Sequence, residues 1–255
     1  MSVLRSEWIK TRTIRMNWVL FVIAIVFPLI VAGLFAGFGD VDALFAEDQF
    51  QLVSGGIIIT SMLLGVIGAT SITGEYGFNT IRPTFAATPR RIHVVTAKAI
   101  VAAAVALVVG VVVTVAGLVL VNTLARSRAD ASVPDSALDV TSVDDFFAAS
   151  GGIVVFCALL GLFGLAIGLI IRSTPAAVAT LVLWPLLVEN IVSAILSGLG
   201  VDNPGKWMPY QAGTNLWQVG DFTGTLGRWG GGLYFAGVTL VMFVLGTLIV
   251  NRRDA

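Results

Sequence analysis

Six long apolar runs constrain this chain more than any other feature of its sequence. They cover about 18–38, 52–73, 94–124, 150–171, 176–199 and 230–250. Each reaches the ~20 residues a helix needs to cross ~30 Å of hydrocarbon at 1.5 Å per residue. The predicted fold class is therefore an all-α membrane protein with six transmembrane helices. Only 12% of the 255 residues are charged and 57% are hydrophobic, about half the charge of a soluble domain. The longest polar stretch, about 125–149, is too short to fold alone, so residues 1–255 read as one transmembrane domain.

The net charge is zero, and it hides a segregation. With the N-terminus placed in the cytoplasm, eleven of the fifteen Lys and Arg fall on the inner side; the other four are Arg126, Arg128, Lys206 and Arg228. This positive-inside bias and an even number of spans predict that both termini are cytoplasmic. The first apolar run is longer than the 7–15 residues of a signal-peptide core, so it reads as an uncleaved span. Residues 1–17 precede it. Leu4, Trp8 and Thr11 share one helical side, with Arg5, Lys10, Arg12 and Arg15 supplying charge. A short helix lying in the inner headgroup layer fits this pattern. A frayed basic leader that only sets topology is the competing reading.

Within the spans, Pro28 predicts a kink in the first. Gly33 with Gly37, and Gly164 with Gly168, have the four-residue spacing that lets helix backbones approach closely in lipid, either inside the chain or at a dimer interface. The lone cysteine, Cys157, reads as a small packing residue. The stretch 125–149 reads as a solvated outer connector. Residues 200–229, rich in Gly and Trp, suit a re-entrant segment or helices lying on the outer leaflet. The inner loop at 74–92 carries Tyr76, Phe78, Ile81 and Phe85 beside Glu75 and Arg82. Four large apolar residues there point to packing on the membrane or on a partner, with a short amphipathic helix over Glu75–Phe85. Arg90 and Arg91 anchor the inner end of the third span.

Glu189 is the single acid inside a span, where a charge costs about 2.5–3.5 kcal/mol on insertion scales. Three readings fit it and its neighbour Asn190: lining a substrate path, a structural polar contact to helix ends, or a proton relay. Pro185, four residues earlier, frees the carbonyl of Leu181 and predicts a break in span 5. Enzyme chemistry lacks its parts. His93 is the only histidine, no metal-ligand set is spelled out, and no GxxxxGK[ST] loop occurs. Nothing suggests nucleic-acid binding. A six-span carrier or scaffold remains the alternative to an ATP-driven machine.

The sequence resembles the permease subunits of ABC-2 type transporters. The leader LRSEWIKTRTIRMNW (4–18) carries Glu7, Lys10 and Thr13 in the family's E-x-x-K-x-x-[ST] spacing. The loop EYGFNTIRPTFAATPRR (75–91) carries Glu75, Tyr76, Thr80, Ile81, Arg82, Pro89, Arg90 and Arg91 in its loop pattern. WPLLVEN (184–190) and MPYQAGTNLW (208–217) are also similar. The resemblance implies an exporter half-transporter in a bacterial cytoplasmic membrane. This chain would pair with an identical or homologous permease subunit in the lipid bilayer. Two copies of a separate ATP-binding cassette subunit would hold ATP and Mg, so this chain binds no cofactor and no metal. The leader would form a connecting helix, and Glu75, Tyr76, Thr80, Ile81, Arg82, Arg90 and Arg91 would couple to the ATP-binding subunit.

Overall fold

The computed structural model describes residues 3–39, 45–81, 83–84, 91–129, 133–220 and 222–253. Among them there are helices and no strands. A short helix α1 (Val3–Thr13) leads into α2 (Arg15–Phe38), α3 (Ala46–Gly77), α4 (Arg91–Arg128) and α5 (Phe146–Ile171). The fifth span is composite: α6 (Thr174–Leu183), one π-turn (Trp184–Val188) and α7 (Glu189–Gly198). A short helix α8 (Pro209–Thr214) precedes the last span, α9 (Gly227–Arg253). Six of these segments are long and apolar enough to cross a membrane.

The centre of the bundle is a crossing of α3 and α5, and glycine makes it. A Cβ on Gly164 would overlap the carbonyl oxygen of Gly65, and one on Gly68 would overlap that of Gly161. One on Gly168 would lie 2.8 Å from the carbonyl oxygen of Ala69. Two backbones therefore touch where side chains would hold them 8–10 Å apart. On its other side α5 meets α4, with Gly110 against Cys157 Cβ and Gly161 against Ala106 Cβ, each at 3.2 Å. Burial follows from this arrangement. Two-thirds of the apolar window is buried in α3 and α5, against 17% in the fifth span and 28% in the first. The peripheral helices turn Phe35, Ile195, Leu233 and similar side chains outward, as helices bathed in lipid do.

Both intramembrane prolines are accommodated without a break. Pro28 lacks the N–H that Ala24's carbonyl would receive, and α2 still runs unbroken through it. Thr60 on α3 donates its hydroxyl to that same Ala24 oxygen at 2.7 Å. Gly56, one turn away, lets the pyrrolidine ring approach; a Cβ there would be 2.7 Å from Pro28 Cβ. A neighbouring hydroxyl thus replaces the missing donor. Pro185 is handled differently. The helix widens by one residue, the N–H of Glu189 bonds the Trp184 carbonyl, and span 5 continues. The predicted break is a π-turn, which absorbs the missing donor within the helix.

At the end of the bundle away from α1, the connectors pack more than their composition suggests. Leu138, Val140 and Val143 are buried. The Leu138 carbonyl accepts from Gln49 Nε2 at 3.2 Å and from Asn122 Nδ2 at 2.7 Å, so the segment after α4 covers the ends of α3 and α4. Helix α8 and the turn behind it wedge between α5 and α9. Gly213 would place a Cβ 2.9 Å from both Phe156 and Phe235. Trp217 meets the Phe156 ring edge-on at 4.4 Å.

Candidate functional site

Four charged side chains from three elements converge where α1 meets the bundle. Lys98, on the second turn of α4, has a side chain only 1% exposed. Its ammonium donates to Glu7 Oε2 at 2.7 Å, Glu75 Oε1 at 2.7 Å and the Ser71 carbonyl at 2.8 Å. Those three bonds use all its protons. Lys10, four-tenths exposed, donates to Glu7 Oε1 and to the same Glu75 Oε1, each at 2.8 Å. The cluster sums to zero charge, which is the condition for burying it. Burial pulls the Lys10 pKa down, but the bonds and charges of Glu7 and Glu75 outweigh it and hold the ammonium above its ordinary value. Glu75 Oε2 is buried without a hydrogen-bond partner.

Glu7 is the one buried residue of α1. Leu4, Trp8 and Ile9 on that helix are exposed. The helix is therefore attached chiefly through a carboxylate, with the partly buried Val3 packing on the bundle, while Leu4, Trp8 and Ile9 face outward.

The residues predicted to couple are spread over several elements. Glu75 and Tyr76 belong to the last turn of α3 and not to a loop helix starting at Glu75. The helix continues past its apolar stretch because Lys98 neutralises Glu75. Tyr76 lies under the Arg172 guanidinium, 4.9 Å from its ring centre. Thr80 returns its N–H to the Glu75 carbonyl at 2.9 Å. Ile81 is buried in a cluster with Ile72, Val94, Val95, Leu165 and Leu169. Arg91 opens α4 and reaches the Val250 and Asn251 carbonyls at 3.4 Å. Arg172, in the left-handed conformation that ends α5 (φ 61°), reaches the Ile249 carbonyl at 3.3 Å. Two guanidiniums thus sit on the negative end of α9. Arg82 and Arg90 lie outside the described residues.

Glu189 occupies the other half of the molecule and is 1% exposed. Its carboxylate accepts from the N–H groups of Tyr210 and Gln211, at 2.8 and 3.0 Å, and from the Trp184 indole at 3.0 Å. The first two are free donors at the start of α8, which Pro209 opens. These bonds tie the carboxylate to the start of a helix. Asn190 is exposed and donates to the Pro185 and Leu186 carbonyls at 3.1 Å, next to the widened turn.

Gly164 and Gly168 face α3 within the chain, and Gly33 faces Leu120 at 3.3 Å, while nothing lies within 4 Å of a Cβ on Gly37. Among the described residues no group of three His, Cys, Asp or Glu comes together to hold a metal.

Sequence reasoning misses the pairing of Lys98 with Glu7: Lys98 enters only as one of the inner-side charges and Glu7 only as a position of the leader pattern. The available signal was stoichiometric: two acids and two lysines at three helix ends that the topology places on one side.

A family model described as ABC-2 family transporter protein matches residues 3–183. The match runs from α1 to the end of α6, so it contains the charge cluster and stops short of Glu189. No curated protein matches the chain.

Proposed function

This chain belongs to the ABC-2 family of transporter membrane proteins, and we propose that it is the permease half of an ATP-driven exporter. Two such subunits, identical or homologous, line the pathway. Two copies of a separate ATP-binding subunit supply ATP, Mg and hydrolysis. The α1 end of the bundle faces the cytoplasm, in line with the positive-inside distribution of Lys and Arg. The loop between α3 and α4 docks on the ATP-binding subunit there.

One observation supports this reading above the rest. The chain leaves α3 for that loop where α1 is pinned by Glu7 and Lys98 and where Arg91 and Arg172 hold the end of α9. A loop rooted in a braced cluster transmits a push to α1, α3, α4 and α9 together. A loop rooted in frayed helix ends absorbs it. ATP-driven closure of the partner dimer is thereby converted into rocking of the bundle.

The test is purification of the tagged chain from its native membrane in mild detergent. An ATP-binding protein should accompany it in near 1:1 ratio, and ATP hydrolysis should fall when residues 78–90 are replaced by a Gly/Ser linker. A preparation without an ATPase in several detergents would overturn the reading in favour of a carrier or scaffold.

A further inference from the structure

We propose that Lys98 is the positioning residue that makes α1 and the root of the α3–α4 loop one mechanical unit. The proposal rests on the coupling reading above and names the part that carries the motion.

Three facts support it. First, α1 has one buried residue, Glu7, and Lys98 is its fully buried partner at 2.7 Å. Apart from the partly buried Val3, which packs on the Ile81 cluster, α1 presents no apolar side chain to the bundle, so its attachment to α3 and α4 is mainly ionic. Second, the same ammonium holds Glu75, two residues before α3 ends at Gly77. Glu75 Oε1 is also shared with Lys10 of α1. Each acid is thus tied to α1 and α4 at once. Third, Lys98 has no spare proton, and its third bond fixes it to the Ser71 carbonyl one turn up α3. A cation saturated in this way sets direction as well as distance.

Loss of Lys98 leaves Glu7 and Glu75 sharing the half-exposed Lys10. Their repulsion is relieved by α1 swinging its carboxylate into water. The bundle remains, and α1 no longer follows it. Glu75 is then held in place from one side only.

The test uses the full chain in complex with its ATP-binding partner, in a Cys157→Ala background. Spin labels at Arg5→Cys on α1 and Thr96→Cys on α4 report the tether. A membrane-impermeant maleimide at Gln51→Cys, which lines a cavity at the far end of α3, reports transmission. With Lys98 present, the spin–spin distance should be single and narrow, with and without ATP plus vanadate, and ATP plus vanadate should change the labelling rate of Gln51→Cys. In Lys98→Met the distance should broaden, and the ATP-induced change at Gln51→Cys should shrink about tenfold, a size usual for coupling between sites. Lys98→Arg should restore both. Glu7→Gln, which removes charge without stranding a second acid, should broaden the distance even if Lys98→Met fails to fold. A narrow distance in these variants, or an undiminished ATP effect in Lys98→Met, overturns the proposal. Absence of an ATP-binding partner from the wild-type preparation overturns the coupling reading instead, and the distance alone then decides the tether.

Discussion

The two acids buried among the described residues, Glu7 and Glu189, are held by different chemistry. Glu7 is held by the ammonium groups of Lys98 and Lys10. Glu189 is held by two backbone N–H groups and an indole. The first arrangement joins elements far apart in sequence through side chains at the edge of the bundle. Its failure mode is separation: α1 has water beside it and can leave. The second lies between span 5 and the wedge of α8, which is packed against Phe156 and Phe235. Two of its three donors are main chain and cannot swing away. One site is built as a joint and the other as a weld.

That comparison is broken most directly by removing Glu189. Glu189→Ala strands the N–H groups of Tyr210 and Gln211 and the Trp184 indole, each in the range of 1–3 kcal/mol when left unpaired. The expected loss is about 3 kcal/mol or more, read as a lower Tm in detergent, with the Trp217 environment altered in fluorescence. Glu189→Gln keeps one acceptor oxygen and should lose about half as much. A weld that gives way by less than Thr60→Val, below, would not be one.

Lys98→Met comes second. Breaking a buried ion pair usually costs 3–5 kcal/mol because a charge is left uncompensated. Here Glu7 escapes with α1, so the global cost should be only about 1–2 kcal/mol. The damage should appear locally, as fast hydrogen exchange confined to Val3–Thr13. A full-sized drop in Tm without local exchange would mean that α1 is welded too.

These two acids also show how far the sequence could be read. Glu189 was visible as the only acid in a span, because its cost is a property of the residue and its depth. Its partners were not visible, since every residue carries an N–H and only the fold says which are free. The Glu7–Lys98 pair was hidden for the opposite reason: charges at a membrane boundary are common, the positive-inside count already used Lys98, and the leader pattern already used Glu7. The six spans were legible because hydrocarbon thickness sets their length. Their ends were not. The third span was expected over about 30 residues and runs from Arg91 to Arg128, because polar contacts continue helices where hydropathy stops. Likewise Gly164 and Gly168 announced close packing, but only the fold shows that Gly65 and Ala69 are what they face.

Thr60→Val supplies a neutral reference between the two sites. It keeps the shape and removes the donor to the Ala24 carbonyl. Interhelical hydrogen bonds of this kind measure about 0.6–1.7 kcal/mol, so the expected loss is about 1 kcal/mol. A second substitution, Pro28→Ala, restores the N–H within α2 and should make Thr60→Val nearly silent. If the two losses simply add, the hydroxyl is not serving the proline.

The smallest effect is the most discriminating, because it depends on pH. The Lys10 ammonium is held above its ordinary value of 10.5 by Glu7 and Glu75, which outweigh burial. A group whose folded pKa is raised contributes stability that is complete below the unfolded value and is lost as pH rises through the folded one. The joint should therefore be insensitive to pH from neutrality to about 10 and loosen above it. The effect is reduced by salt, since the lysine is partly exposed. Lys10→Met should remove this alkaline limb from the exchange of α1 while leaving the bonds of Glu189 unchanged, because they come from two backbone N–H groups and an indole. An alkaline limb that survives Lys10→Met would mean that loss of the Lys10 charge is not what loosens α1.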